Sequence, residues 1–166
     1  DNIINLEKIV VALPDYQFHI AARTTMSDKL KKMSKYENIM LYPGITLEKI
    51  DDLLNKCSIY LDINSQNEVE GIVRTAFEHT QVIFSFVGIV HNQKYVQTEN
   101  IFDQSDYEGL IEKVKSQTKN QINFNDAIYN QKKFAGSSDI KQYRELLNWK
   151  KQILFSMKYQ KKRKYI

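Results

Sequence analysis

The stretch "YLDINSQNEVEGIVRTAFEHTQVIFSF", Tyr60 to Phe86, decides the fold of this 166-residue chain. It begins and ends on short β-prone runs, and the segment between them carries apolar residues at helical spacing. A strand, a helix and a second strand in this order predict a right-handed crossover between two parallel strands. Polar and acidic residues crowd the turn after the first strand, which is where sheets of this kind bind their ligands.

The same alternation continues on both sides of this stretch. Further strands are predicted in "YQFHIAA" and "NIMLYPG". Further helices are predicted in "NIINLEKIVVALP", "TTMSDKLKKMSKY", "TLEKIDDLLNKC" and "DYEGLIEKVKS", and only helices follow from Asn120 onward. We therefore expect an α/β fold with a Rossmann-like, doubly wound and mostly parallel sheet, followed by a helical C-terminal extension.

Several of these helices carry cap signals in their first turn. Thr25 and Asp28 have the spacing of a capping box, and Thr46 is the predicted N-cap of the next helix. In the central stretch, Ser65 and Glu68 repeat the S-x-x-E pattern. A helix is therefore predicted to begin near position 66 and to end near position 79.

The crowded turn supplies the candidate binding residues, because the residues that directly follow a strand lie at the ligand-binding edge of such a sheet. The candidates for binding a nucleotide or phosphate are Arg23, Gly44, Asn64, Ser65, Asn67 and Glu68. Two interpretations are open: Ser65 only caps a helix, or the first amide groups of that helix also hold a phosphate. Because Glu68 and Glu70 compete with an anion for the same helix end, weak or no nucleotide affinity is expected.

The central helix is predicted to have two distinct faces. The residues of its buried face follow the helical repeat and are Val69, Ile72, Val73, Ala76 and Phe77. The charged residues on the opposite side are spaced four apart and are Glu70, Arg74 and Glu78. They predict an exposed ion ladder worth about 0.3–0.5 kcal/mol per pair.

Histidine and cysteine give little evidence for catalysis. His19 lies within a predicted strand and is interpreted as a hydrogen-bonded structural histidine, whereas His91, beside Asn92, follows the last predicted strand and is placed to face the cleft. No serine or cysteine motif accompanies either residue, so nucleophilic catalysis has no support. Cys57, the single cysteine, is predicted to be a small buried apolar residue, and no group of residues has zinc-ligand spacing.

Composition and charge indicate one cytosolic domain. Apolar residues make up 42% of the chain, enough for one core, and no apolar run reaches the roughly 20 residues that span a bilayer. The net charge is +4, but the segment Trp149 to Ile166 carries six lysines and one arginine without an acid, which leaves −3 for the rest. This mildly acidic body argues against nucleic-acid binding. The basic tail either packs on the domain as a helix or attaches the protein to an anionic membrane surface.

The order of the motifs resembles a known family. "LYPGITLEKIDDLLNKC", "YLDIN", "NEVEGIVRTAFEH" and "VIFSF" follow one another as in the C-terminal, donor-side domain of GT-B glycosyltransferases, the retaining group with an E-x7-E motif. Within that group the chain is most similar to the GtfB family of glycosyltransferase-stabilising subunits of accessory Sec systems. The resemblance implies a Rossmann-like donor-side domain over residues 1–118, without its usual first strand, and C-terminal helices with a basic tail over 119–166.

The resemblance places the acidic motif in two alternative registers. Glu70 and Glu78 have the E-x7-E spacing, whereas alignment on "VIFSF" puts Gln66 and Arg74 at the two acidic positions, where neither supplies a carboxylate. Glu78 would also lie about 12 Å along the helix from the pocket, at a rise of 1.5 Å per residue. The motif is therefore interpreted as a donor site that has lost its acids.

Two functions follow from the resemblance. The first is a non-catalytic glycosyltransferase-fold subunit, without cofactor or metal, that binds and stabilises a catalytic partner transferring O-linked GlcNAc to Ser/Thr-rich adhesins. The alternative is the donor-binding domain of an active retaining glycosyltransferase that uses a UDP-sugar, with Glu70 as a sugar-binding residue. In both cases the chain alone is expected to be inactive, because a GT-B site also needs the N-terminal half of the fold.

Overall fold

The computed structural model describes residues 2–69 and 71–136. Asp1, Glu70 and residues 137–166 lie outside this part of the chain. Both interpretations of the basic tail therefore concern residues that are not described, as does the assignment of Glu70. Among the residues that are described, no helix is long and apolar enough to cross a membrane.

Helices and strands alternate along the chain as predicted. In chain order the elements are α1 (Leu6–Ala12), β1 (Phe18–Ala22), α2 (Asp28–Lys31), β2 (Ile39–Pro43), α3 (Leu47–Leu54), β3 (Ile59–Asp62), α4 (Ile72–Glu78), β4 (Val82–Phe86), β5 (Ile101–Phe102), α5 (Tyr107–Thr118) and α6 (Gln121–Phe134). Short 3-10 helices cover Lys32–Lys35 and Thr98–Asn100. The α/β class is confirmed, and β5 is the one strand here that the sequence pattern did not predict.

The five strands of the described part of the chain form two parallel sheets. β1 pairs with β2, while the second sheet has the order β3-β4-β5, with Ile59 opposite Val82 at the start of its longest ladder. The chain before α1 runs antiparallel to the end of β3, where Ile3 forms an isolated bridge with Asn64. Parallel strands with helical crossovers are therefore confirmed, and the strands are divided between two sheets.

β4 is the centre of the core. All five of its residues are buried, which explains why the sequence there is a continuous run without polar alternation. Because neighbouring side chains of a strand point to opposite faces, Phe84 packs with residues of α1, α5 and α6, whereas Ile83 packs with residues of α3 and α4. Helices thus cover both faces of the β3-β4-β5 sheet, as in a doubly wound fold.

The edge of β4 is completed by side chains as well as by β5. β5 pairs with the last two residues of β4, and among residues 2–69 and 71–136 no strand lies beside the first half of that edge. There Gln131 of α6 donates from Nε2 to the Gln81 carbonyl at 2.7 Å and accepts from the Ile83 amide at Oε1 at 2.8 Å. Asn100 donates to the Ile83 carbonyl at 3.2 Å. Two buried amide side chains therefore replace a missing stretch of strand.

The helix caps are partly as predicted. Thr46 caps α3 by accepting from the Lys49 amide at 3.4 Å, which confirms that prediction. The predicted capping box of Thr25 and Asp28 is wrong, because α2 begins at Asp28 itself and Ser27 is the N-cap, accepting from the Leu30 amide at 3.2 Å. Three hydroxyl residues, Thr24, Thr25 and Ser27, precede this helix, and only Ser27 stands directly before the first helical residue.

We expect Ser27→Ala to lower the free energy of unfolding by about 1 kcal/mol, since it leaves an amide of the first turn without its cap. Thr25→Ala is the matched control and should change stability by less than about 0.5 kcal/mol. Urea denaturation followed by circular dichroism measures both. A Thr25 loss equal to or larger than the Ser27 loss would contradict the cap assignment.

Candidate functional site

The turn after β3 differs from the predicted one. The helix does not begin near Gln66: α4 begins at Ile72, directly after Gly71, whose φ of 70° lies in the left-handed region that glycine adopts most readily. Ser65 is not its cap, because both the amide and Oγ of Ser65 donate to the carbonyl of Asn2, at 2.9 and 3.1 Å. Ser65 thus holds the chain before α1, and the prediction that it caps this helix is wrong.

Glu68 is hydrogen-bonded to the first turn of α4. Its Oε1 accepts from the amide of Val73, in the first turn of α4, at 3.0 Å. A carboxylate of the chain itself therefore satisfies the positive end of this short helix. Asn64 shapes the same loop, since its Oδ1 accepts from the Gln66 amide at 3.3 Å. No helix begins at 66–68, so the predicted helix start is wrong, and binding of a phosphate by the residues of this loop stays a prediction.

The other candidate residues lie at the edges of different sheets. Gly44 follows β2 with a φ of 66°, and its amide donates to the carbonyl of Thr24, so the turns after β1 and β2 are joined. Arg23 lies exposed in the first of these turns, and Asn67 lies exposed in the loop after β3. The structure therefore brings the Arg23 turn to Gly44, whereas the loop with Asn67 is bonded to the chain before α1. Their role in binding a nucleotide stays a prediction.

A buried pair of ionisable groups lies beneath this loop and was not predicted. Asp62, the last residue of β3, is only 2% exposed, and its carboxylate accepts from both the backbone amide of His91 at 2.9 Å and His91 Nδ1 at 2.5 Å. The other ring nitrogen, Nε2, donates to the carbonyl of Gln66 at 2.5 Å. His91 thus follows β4, as expected, but it joins β3 to the loop. An acid inside the apolar run "IYLDI" is the signal that could have indicated the pair.

The electrostatics of this pair favour a charged histidine. Burial by itself lowers the pKa of His91, but its hydrogen bonds to Asp62 and Gln66, with the attraction of Asp62 and Glu68, raise the pKa above the usual histidine value. The same carboxylates act on Tyr60 of β3: burial first, and then the charges of Asp62 and Glu68, raise the pKa of this phenol far above its usual value. Tyr60 therefore stays neutral while His91 titrates.

The predicted faces of α4 are largely confirmed. Val73, Ala76 and Phe77 are buried, whereas Val69 precedes the helix and is 45% exposed, so its assignment to the buried face is wrong. On the outer face Arg74 Nε contacts Glu78 Oε1 at 2.8 Å, with 65% and 54% of the two side chains exposed. This is the predicted ion pair, and it lies on the solvent side of the last turn.

His19 and Cys57 lie outside the loop after β3. His19 Nδ1 is hydrogen-bonded to the Tyr42 hydroxyl at 2.8 Å, which confirms its interpretation as a bonded structural histidine, and burial followed by the Lys56 charge lowers the pKa of His19. Cys57 is only half-buried, and burial raises the pKa of its thiol, which keeps it protonated. Within residues 2–69 and 71–136 no cluster of three His, Cys, Asp or Glu side chains can hold a metal ion.

Known proteins are similar to this chain in sequence. The chain is 44% identical over 116 residues to the "UDP-N-acetylglucosamine--peptide N-acetylglucosaminyltransferase stabilizing protein GtfB" of Streptococcus agalactiae, which covers 70% of this chain and 26% of that protein. The protein of the same name from Streptococcus pneumoniae serotype 4 is 38% identical over 147 residues, covering 89% of this chain and 33% of the relative. The chain thus spans about a quarter to a third of the length of these relatives.

A solved structure and a family model are also similar to this chain. The crystal structure of a GtfA/B complex bound to UDP and GlcNAc superimposes with a TM-score of 0.78 at 34% identity, covering 89% of this chain and 33% of that chain. The model of the family described as "GftB/GlyA-F C-terminal domain" matches residues 1–131. The resemblance inferred from "YLDIN" and the motifs after it is therefore confirmed. This chain belongs to the GftB/GlyA-F C-terminal domain family.

Proposed function

We propose that this chain is the C-terminal domain of a non-catalytic glycosyltransferase-fold subunit. The whole subunit binds and stabilises a catalytic partner that transfers GlcNAc to Ser/Thr-rich protein acceptors. The names of its relatives, stabilizing proteins of a peptide N-acetylglucosaminyltransferase, support this proposal. So does the similarity to one chain of a two-protein GtfA/B complex.

The position of Glu78 carries the non-catalytic part of the proposal. Glu78 is the last residue of α4 and bonds to Arg74 on the exposed face of the helix. Ligands of doubly wound sheets lie at the opposite end of such a helix, beyond the carboxyl ends of the strands. The second acid of an E-x7-E pair is therefore turned away from the donor pocket, and Arg74, which stands at that position in the other register, brings a positive charge instead.

The rival is a donor-binding domain of an active retaining transferase, with Glu70 binding the sugar. The decisive experiment uses the full-length protein, alone and with its catalytic partner, and measures UDP-GlcNAc hydrolysis and transfer to a Ser/Thr-rich acceptor. We expect no turnover by the protein alone and full transfer by the complex. Glu70→Gln and Glu78→Gln should each leave transfer by the complex unchanged within about twofold, a change of less than 0.5 kcal/mol in the barrier.

The chosen variants separate the two functions. Turnover by the protein alone that disappears in Glu70→Gln would overturn the non-catalytic proposal, and Glu78→Gln is the matched control, since it removes an equivalent acid from the outer face of α4. Loss of transfer by the complex in Glu70→Gln, with Glu78→Gln normal, would place a catalytic acid in this chain and would also favour the rival.

A related expected outcome concerns UDP itself. Titration of UDP into the full-length protein without its partner should give no heat of binding at micromolar concentrations, because Glu68 already occupies the amide of Val73 at the start of α4. The same titration into the complex is the positive control. Micromolar affinity of the isolated protein would contradict the expectation and would favour the active-transferase rival.

A further inference from the structure

We propose that His91 is a protonation-dependent latch that holds the loop 64–69 against the carboxyl end of β3. Loop 64–69 is the segment between Ile63 and the undescribed Glu70, and it includes Glu68, the residue that caps α4. The proposal concerns how this loop is ordered and released. It does not depend on whether the protein is catalytic.

The geometry gives His91 three bonds that connect two separate elements. Its backbone amide and Nδ1 both bind the Asp62 carboxylate at the end of β3, and its Nε2 binds the carbonyl of Gln66 in the loop. Only the Gln66 bond reaches the loop. The ring is mostly covered, with 15% of the side chain exposed, whereas Gln66 at the other end of the bond lies exposed on the loop.

Both ring nitrogens must carry a proton for the latch to close. A carbonyl oxygen only accepts, so Nε2 has to donate to Gln66, and the Asp62 carboxylate likewise accepts from Nδ1. When the imidazolium loses one proton to solvent, Nδ1 keeps its proton, because a lone pair on Nδ1 would be repelled by the Asp62 carboxylate. The proton therefore leaves Nε2. The lone pair left on Nε2 then faces the Gln66 oxygen, and the bond to the loop is lost.

The charges around His91 set the direction of the switch. The carboxylate of Asp62 acts on His91 from β3, and that of Glu68 acts on it from the loop. The phenol of Tyr60 on β3 is near the same two carboxylates and stays neutral. Together the bonds and the two negative charges raise the His91 pKa above its usual value. A raised pKa means that the latch is fully closed below the ordinary histidine pKa of about 6.5 and opens as the pH rises through the raised value.

Hydrogen–deuterium exchange on the full-length protein tests the latch. Peptides that cover residues 62–73 are followed from about pH 6 to about pH 9, with each rate corrected for the intrinsic pH dependence of exchange. We expect protection of the Gln66 and Val73 amides to fall several-fold as the pH rises in the wild type. In His91→Gln, whose side chain does not titrate, protection should be independent of pH. His19→Gln is the matched control and should keep the wild-type profile.

Each possible result of this experiment either supports or overturns the latch. Protection in the wild type that does not change with pH, or a pH dependence that persists in His91→Gln, overturns the proposal. If His91→Gln does not fold, nitrogen-15 NMR of the His91 ring in the wild-type protein replaces the measurement on the variant. Loss of the proton from Nε2, at a pH above the usual histidine pKa, supports the latch, and loss from Nδ1 or titration at or below the usual pKa overturns it.

Discussion

Asp62→Ala is expected to lower the free energy of unfolding by about 3 kcal/mol, because it breaks a buried ionic pair by removing one partner. Asp62 is almost fully buried and accepts two hydrogen bonds from His91, one of them from the backbone amide. Its loss leaves that amide and a protonated ring without acceptors in a place that water does not reach easily. Chemical denaturation at about pH 6, where the ring is charged, gives the full effect.

The matched variant, His91→Ala, should lower the free energy of unfolding by less than Asp62→Ala does. His91→Ala removes only the ring and leaves the backbone amide bond to Asp62 intact, so we expect a loss of about 2 kcal/mol. The double variant should then fall short of the sum by at least about 1 kcal/mol, since both changes remove the same bond. Strictly additive losses would show that Asp62 and His91 do not interact, and would contradict the buried pair.

The loss of unfolding free energy caused by Asp62→Ala should become smaller as the pH rises. The folded-state pKa of His91 is raised, so its ion pair stabilises the fold fully below the unfolded histidine pKa of about 6.5 and loses that contribution as the pH rises through the folded value. The Asp62→Ala loss should therefore shrink between about pH 6 and about pH 9. A loss that stays constant over this pH range would mean that the charge of the ring contributes nothing to the pair.

The parts of the fold that the sequence predicts are those that depend on local pattern. β4 could be located because all five residues from Val82 to Phe86 are apolar or small and buried, and α5 because its apolar residues follow the helical repeat. β5 escaped prediction because a strand of two residues has no period to detect. Its two residues are identified as a strand by their pairing with Ser85 and Phe86 of β4.

The loop after β3 could be located from the sequence, but its bonds could not, because they join residues that are distant in sequence. The capping box of Ser65 and Glu68 satisfies every local rule, yet Ser65 bonds to Asn2, which lies 63 positions away. Gly71, with its positive φ, determines where α4 begins, and Glu68 caps the helix from outside the expected spacing. The Asp62–His91 pair spans 29 positions, so no local repeat connects the two residues, although the acid within the apolar run "IYLDI" marks one of them.

The completion of the β4 edge by α6 leads to the last expected result. Gln131→Leu should lower the free energy of unfolding by about 3 kcal/mol, because the Ile83 amide and the Gln81 carbonyl would both lose their partner inside the core. Leucine has nearly the same volume as glutamine, so packing is kept and the loss reports the two hydrogen bonds. Urea denaturation followed by circular dichroism is the measurement.

Two further variants on α6 separate hydrogen bonding from helix propensity. Lys133→Leu places the same side chain two residues further along, on the exposed face, and should change stability by less than about 0.5 kcal/mol. Gln131→Glu keeps the acceptor for Ile83 but turns the donor to Gln81 into a second acceptor and buries a charge, so it should cost at least as much as the leucine variant. A Gln131→Glu protein as stable as wild type would refute the role of the amide as a substitute for a strand.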